Sequence, residues 1–354
     1  MSLFDWEQRK LGEVLLVNSG KDYKNLNKGN IPVYGTGGYM LSVNRALSNE
    51  NAIGIGRKGT IDRPQYLIAP FWTVDTLFFL TVKNQNDLKF FYALFQKINW
   101  KKYDESTGLP SLSKSTLNNI FLKNPNYKEQ KKIGLLLSQI EVLITLQQRK
   151  LRYLSAIKKS LLQNMLVDND LRPELRFTKF SGNWEQHKIS EMAKRLDNLR
   201  IPVTASNRKK GDIPSSGANG IQDYVEGFTH KGENILIAED GANNLDNYPI
   251  RLVKGKIWVN NHAHVLKAYK NCTDIQFLEF ELKKLNIYKY LVGGSRLKLN
   301  ADILMNISIK SPTLKEQKKI GFMLSLLEEN TIFQQRKLNK LELLNQFFLQ
   351  HMFI

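Results

Sequence analysis

Lys128-Glu129-Gln130-Lys131-Lys132-Ile133-Gly134 opens a long helical pattern, and the same seven residues return as Lys315-Glu316-Gln317-Lys318-Lys319-Ile320-Gly321, 315 − 128 = 187 positions later. An internal repeat governs every local reading, because each copy must fold into the same unit. Working outward, Trp6-Glu7-Gln8-Arg9-Lys10-Leu11-Gly12-Glu13-Val14 is echoed by Trp184-Glu185-Gln186-His187-Lys188-Ile189-Ser190-Glu191-Met192 at an offset of 178. Ile31 to Tyr39 is echoed by Ile213 to Ile221 at 182. The growing offset places small insertions in the second copy, where loops absorb them. The chain is a tandem duplication whose copies agree at their edges and differ in their middles.

The pattern after each repeat is helical. A seam at spacing three and four runs Leu137, Ile140, Ile144, Gln147, Leu151, Leu154, Lys158, Leu161 and Met165, and adding 187 gives Leu324, Leu327, Thr331, Gln334, Leu338, Leu341, Asn345, Phe348 and Met352. This is a coiled-coil-like register. About 38 residues at 1.5 Å each give a rod of roughly 57 Å, whose apolar stripe needs a partner. The matching stripe on the second rod makes an antiparallel pair within the chain the simplest solution, with pseudo-two-fold symmetry. In the middles, Ala52–Gly56, Trp72–Leu80 and Asn119–Leu122 read as strands and Asp87–Trp100 as a helix capped by Asp87. Ile235–Ala238, Lys256–Val259, Ala263–Leu266 and Ile307–Ile309 are strands of the second copy, and Thr273–Lys289 its helix. The expected fold is mixed α/β (α+β): globules at 1–127 and 184–314, long helices at 128–166 and 315–354, and a linker at 167–183 containing Arg172-Pro173-Glu174-Leu175-Arg176-Phe177.

Charge narrows the function. The 354 residues carry 52 Lys+Arg against 33 Asp+Glu, a net of +19, which points to a polyanionic partner, most often nucleic acid. The single cysteine, Cys272, excludes an internal disulfide and a cysteine metal cluster. Met1 to Trp6 lacks the start of a signal peptide, and no apolar run suits a bilayer, so a cytoplasmic protein free of membrane is expected. Two globules joined by paired helices suit a two-part site on double-stranded DNA, each globule on one half-site and the helices as ruler. A rod of about 57 Å spans roughly 17 base pairs.

The whole pattern, from Trp6-Glu7-Gln8-Arg9-Lys10-Leu11-Gly12-Glu13 through Lys128–Gly134, Gln147-Gln148-Arg149-Lys150-Leu151 and Arg172–Phe177 into a second round, resembles the specificity subunit of type I restriction–modification systems. The resemblance covers essentially the entire chain. It implies two target-recognition domains, each reading one part of a split DNA sequence, and helices that dock two methyltransferase subunits, with motor–nuclease subunits joining that core. It further implies a chain with no catalysis and no cofactor of its own, S-adenosylmethionine belonging to the methyltransferase partners. Rival readings are a stand-alone methyltransferase or nuclease and a non-specific DNA-binding coiled-coil scaffold.

Several motifs invite chemistry and are better read structurally. Gly54-Ile55-Gly56-Arg57-Lys58-Gly59 fits a dinucleotide fingerprint, yet Pro64 interrupts any following helix, and the second copy has Ala238-Glu239-Asp240-Gly241 there. A turn offering Arg57 and Lys58 to DNA is the stronger reading. Asn124-Pro125-Asn126-Tyr127 lacks the second proline of an amino-methyltransferase loop and reads as a helix entry. His262-Ala263-His264 has no counterpart in the first copy, which favours a structural or DNA-facing role over a metal site. Expected DNA contacts are Tyr34, Thr36, Tyr39, Arg57, Lys58, Thr107, Ser111 and Lys114 in the first copy. In the second they are Ser215, Ser216, Asn219, Asn243, Asn244, Ser295, Arg296 and Lys298. Lys128, Gln130 and Lys131, with Lys315, Gln317 and Lys318, are expected on the outer helix face as one partner's landing site used twice.

Overall fold

The computed structural model describes residues 6–168, 170–294 and 296–353. The chain divides into two compact units, one of residues 1–149 with 335–354 and one of residues 150–334. Both long helices are therefore shared: each begins in one unit and ends in the other.

The first unit opens with β1 (Glu7–Lys10), the one-turn helix α1 (Leu11–Val14) and β2 (Leu15–Ser19). The hairpin β3 (Lys28–Gly35) and β4 (Gly38–Val43) follows, then β5 (Ala52–Gly56), β6 (Gln65–Leu67), β7 (Trp72–Thr73) and β8 (Leu77–Val82). Helices α2 (Leu88–Lys97) and α3 (Lys114–Asn119), strand β9 (Phe121–Asn124) and the long α4 (Tyr127–Met165) complete it. An antiparallel sheet in the order β2-β8-β5-β6 lies beside a smaller one, β4-β3-β7, and β1 pairs with β9. All of β5 is buried, so its two glycines serve close packing in a strand, not a nucleotide turn. The expected strand Trp72–Leu80 is two strands, because Val74 N–H turns aside to Tyr34 O (3.0 Å). Asp87 caps α2 by accepting from Phe90 N–H at 2.8 Å. The apolar face it starts, Phe90, Phe91 and Phe95, is fully buried, each ring contributing about 1.5–3 kcal/mol.

The second unit repeats this plan. Its elements are β10 (Glu185–Lys188), α5 (Ile189–Met192), β11 (Ala193–Arg195), β12 (Lys210–Gly217), β13 (Gly220–Val225), β14 (His230–Lys231), β15 (Asn234–Ala238), β16 (Ile250–Val253), β17 (Lys256–Val259) and β18 (Ala263–Ala268). Then come α6 (Ile275–Lys284), β19 (Leu291–Val292), β20 (Lys298–Leu299), α7 (Ala301–Asn306), β21 (Ser308–Ser311) and α8 (Leu314–His351). Its sheets run β11-β18-β15-β16 and β13-β12-β17-β14, with β10 on β21.

The repeated heptapeptide is a joint between helix and globule. Gln130, expected on the outer face, is 1% exposed. Its Oε1 accepts from Asp87 N–H (2.9 Å), and its Nε2 donates to Pro125 O (2.8 Å) and Asn124 Oδ1 (3.1 Å). Gln317, 2% exposed, does the same for Asp274 N–H (3.0 Å), Pro312 O (2.9 Å) and Cys272 O (3.1 Å). Both corrections have one cause: the carboxamide satisfies the backbone where the chain enters α2 or α6. Gly134 and Gly321 belong to the same joint. A Cβ there would lie within 2.6 Å of Phe90 N or 2.7 Å of Phe277 N, so only glycine lets the short helix sit against the long one. Glu129 accepts from Trp6 Nε1 (3.1 Å), whereas Glu316 is held bidentately by linker Arg176, at 2.8 Å twice.

The far ends are fastened as well. Phe353, just past α8, packs with Trp6 and Phe90 in the first core, and Lys97 Nζ donates to its carbonyl (2.6 Å). In the second unit Leu166, just past α4, packs with Met165, Trp184 and Phe277, and Lys284 Nζ donates to its carbonyl (2.7 Å). Every expected seam position is buried or half-buried. Lys158 on α4 meets Glu328 on α8 at 2.9 Å, so within this unit the two helices run side by side.

Glu281 on α6 is 3% exposed with Oε1 unpartnered, and burial pushes its carboxyl up to about 8. The matching residue of the first copy, 281 − 187, is Leu94.

Two predictions follow from the joint and this carboxyl. Gln130→Ala and Gln317→Ala should each destabilise their own unit by about 1–3 kcal/mol, since buried backbone groups lose their partners, as read by denaturant unfolding. Between the unfolded value near 4.5 and the folded value of about 8 the native state holds the Glu281 proton and the unfolded state does not. Wild-type stability should therefore fall as pH rises through that window. In Glu281→Leu this fall should be absent, giving a Tm advantage that grows from pH 4.5 to 8.

Candidate nucleic-acid interface

In the first globule the β3–β4 turn, the turn after β5 and the loop before α3 converge. Gln65 Nε2 ties β6 to the first turn, donating to Gly35 O (2.9 Å) and Thr36 O (3.1 Å). Lys58 bridges to Ser111, and Gly59 N–H donates to Pro110 O (2.8 Å). Asp104 organises the loop, accepting from Ser106 N–H (3.0 Å) and Ser111 N–H (2.9 Å), and these amides hold its carboxyl below the usual range. Arg57 and Lys58 are exposed at the centre, with Arg57 5.9 Å from the Phe78 ring centroid. Tyr39 is exposed and meets half-buried Tyr34 edge-on. Thr107 and Lys114 are exposed, and nothing among the described residues ties them to the Arg57 turn.

The second globule builds the same place with opposite charge. The amide of Arg57 donates to Thr76 O and that of Leu112 to Arg57 O; likewise Glu239 N–H donates to His262 O and Leu299 N–H to Glu239 O. Glu239-Asp240 therefore occupy the places of Arg57-Lys58, and Lys298, bridged to Asp240, that of Ser111. Basic groups gather around the acids. Glu239 binds Arg200 (2.6 Å) and Lys298 (2.8 Å), while Asp240 Oδ1 binds His262 Nδ1 (2.7 Å) and exposed Arg296 (3.1 Å). Behind them His264, 1% exposed, bonds Asp197 Oδ2 (2.7 Å) and Leu299 O (2.8 Å), which uses both ring nitrogens. Burial would raise the carboxyl of Asp197, but the His264 hydrogen bond, the Val265 amide and Arg200 outweigh it and hold it below the usual range.

Asn219 clamps the neighbouring loop, donating to Gly241 O (2.8 Å) and accepting from Asn243 N–H (2.9 Å). Asn244 instead caps its own turn through Asp246 and Asn247 N–H. Ser215 and Ser216 are corrected: they lie in β12, paired to Trp258 and Val259 of β17, and are 1% and 0% exposed. Ser295 lies outside the described residues. Among those described, no group of three or more His, Cys, Asp or Glu is placed to hold a metal.

On the long helices Lys128, Lys131, Lys315 and Lys318 are exposed. A further exposed set was missed in the sequence. Leu135, Leu146 and Ile157 on α4 recur 187 positions on as Phe322, Phe333 and Leu344 on α8, at 42–65% exposure. Steps of eleven residues are close to three turns, so each trio lies along one helix face. The signal was legible only as a second period beside the seam.

Comparison with known proteins places this architecture. The type I restriction modification DNA specificity domain matches twice, over residues 4–156 and 181–343. The chain belongs to that family. A putative type I restriction enzyme specificity subunit of Haemophilus influenzae is 43% identical over 143 residues, 40% of this chain and 37% of that protein. The MjaVIII specificity subunit of Methanocaldococcus jannaschii is 23% identical over 321 residues, covering 82% of this chain and 72% of that one. In fold, the chain is similar to the S subunit of a type I restriction–modification system from M. genitalium, with a TM-score of 0.78 and 15% identity over 100% of this chain and 98% of that one. Both specificity domains carry the convergent turns just described, one with a basic centre and one with an acid-anchored basic rim. Among the described residues no helix is long and apolar enough to cross a membrane.

The Asp197 network should be structural. Asp197→Ala should cost on the order of 3 kcal/mol at neutral pH by stranding the His264 ring and the Val265 N–H. Because the folded carboxyl titrates below its ordinary 3.8, the wild-type advantage should persist to acid pH. It should disappear as pH falls through the folded value, as followed by the Tm difference between the two proteins.

Proposed function

We propose that this chain is the DNA sequence-specificity subunit of a type I restriction–modification enzyme, and that it catalyses nothing itself. What carries the reading is one pair of domains with the same frame and inverted charge at the same turn: Arg57-Lys58 in one, Glu239-Asp240 in the other. A module that only gripped phosphate would keep its cations at both places, since phosphate carries no sequence information. Different chemistry at equivalent places suits two different half-sites. The two matches to the specificity domain and the likeness to the MjaVIII specificity subunit support it.

In this reading the chain works with DNA and with restriction and modification subunits. Two methyltransferase subunits dock on the helices, motor–nuclease subunits join them, and S-adenosylmethionine is bound by the methyltransferases. The helices set the gap between half-sites. The landing site is the exposed trio Leu135, Leu146 and Ile157 with its repeat Phe322, Phe333 and Leu344, flanked by Lys128, Lys131, Lys315 and Lys318. Identical register in both copies fits one partner bound twice, and an exposed apolar stripe favours a protein cover.

Selection of duplexes from a random pool, with the modification subunits present, should enrich a two-part motif. Affinity should fall steeply with salt. Arg57→Ala should relax one half of the motif and leave the other. Enrichment of no motif would favour a scaffold, and methyl transfer by the chain alone would favour a stand-alone methyltransferase.

A further inference from the structure

The second globule holds a pocket beside the β12–β13 hairpin. It has a volume of about 390 Å³ and is lined by Pro202, Val203, Ala205, Arg208, Gln222 and Asn260, with His262 at its edge. One wall is the β11–β12 connection. From the first paired residue of β11 to the start of β12 is 210 − 193 = 17 positions, against 28 − 15 = 13 in the first copy, so four residues are added. The longer loop is held in place: Trp258 Nε1 donates to Ile201 O (2.9 Å), Val203 N–H donates to Asn260 Oδ1 (2.9 Å), and Arg200 donates to Ala263 O (2.9 Å).

The opposite wall has changed chemistry. Asn260 N–H donates to Ser216 O as Val74 N–H donates to Tyr34 O, so Asn260 stands where the first copy has Val74. The hairpins are equally in register, Gly217 opposite Gly220 and Gly35 opposite Gly38, so Gln222 stands where the first copy has Met40. A methionine–valine wall has become a pair of carboxamides.

Their hydrogen bonds determine what the pocket offers. Gln222 Oε1 accepts from Arg208 Nη2 (3.1 Å) and Asn260 Nδ2 (3.5 Å), and Asn260 Oδ1 is used by Val203. Both carbonyl oxygens are therefore occupied. What these three side chains still offer is donors, Gln222 Nε2, the Asn260 amide and Arg208 Nε, the last buried without a partner, while Thr204 and Asn261 complete the lining. A buried donor left unmet is costly, so a ligand supplying acceptors is favoured. Asp223 lies 3.8 Å from Arg208 and balances its charge, which favours a neutral acceptor edge over a phosphate. Among bases, guanine presents two adjacent acceptors, O6 and N7, on its major-groove edge.

We propose that this pocket reads the O6/N7 edge of a guanine in the half-site bound by the second domain, with Arg208, Gln222 and Asn260 as specificity-determining residues. It rests on the reading of that domain as a DNA reader, and it extends the rim formed by Arg296 and Asp240, since His262 belongs to both.

The test uses the full chain and the duplex it selects. 7-Deazaguanine, which lacks the N7 acceptor, is placed singly at each guanine of the second half-site, and binding is followed by fluorescence anisotropy. One position should weaken wild-type binding roughly 5- to 150-fold. Gln222→Met and Asn260→Val install residues that the fold already accepts in its first domain. They should bind the unmodified duplex as weakly as wild type binds the modified one and should ignore the modification, with first-half selectivity unchanged. A second half-site without guanine, or one indifferent to 7-deazaguanine, overturns the proposal alone. So does a loss seen only with methylphosphonate backbone, which marks a phosphate contact. Absence of any selected second half-site overturns the functional reading and this proposal with it.

Discussion

Two buried carboxamides hold this molecule's plan in place. Gln130 and Gln317 each close the backbone hydrogen bonds at the point where a long helix leaves its globule. A glutamine buried without partners would be strongly destabilising. Here every contact is to the backbone or to a neighbouring side chain of the same joint, so the group specifies one angle of departure. Gly134 and Gly321 allow the short helices α2 and α6 to lie against that departure without clash. The direction of both long helices follows from these few atoms.

With the frame fixed, the loops are free to diverge. The turn after β5 and its partner after β15 keep the same backbone hydrogen bonds while the side chains pass from Arg57-Lys58 to Glu239-Asp240. In the second domain the acids do not make the surface negative. They orient Arg200, Arg296, Lys298 and His262, which reduces the rotamer freedom those groups would lose on meeting a ligand. The first domain leaves Arg57 and Lys58 exposed. One scaffold thus carries a loosely held and a preorganised surface.

The frame was readable in the sequence because both copies carry it. The seam was readable because its period is independent of what covers it, and Asp87 as a cap because an N-cap is a local event. What failed to show depended on tertiary partners. A glutamine in the first turn of a helix looks exposed until the chain that folds over it is known. Ser215 and Ser216 look like a small-residue turn, yet they take the strand places of Val33 and Tyr34 beside a parallel neighbour. The parallel pairing joins residues distant in sequence, which no short pattern reveals. The carboxamide pocket was hidden for the same reason, since its walls come from β13, the turn after β17 and an inserted loop. Asn219 and Asn243 stood out in the sequence as candidate contacts, and the clamp by which Asn219 joins its turn to Gly241 and Asn243 did not.

The sharing of the long helices also sets an order of events during synthesis. The second unit is an uninterrupted stretch, residues 150–334, and has all its parts once those residues have left the ribosome. The first unit waits for residues 335–354, because Phe353 fills the space against Trp6 and Phe90 and gives Lys97 its carbonyl. The part of the chain made first is therefore finished last, and its closing contact is among the longest in sequence that the fold contains, the kind that slows folding. Until the tail arrives, the first domain's aromatic core lacks one wall.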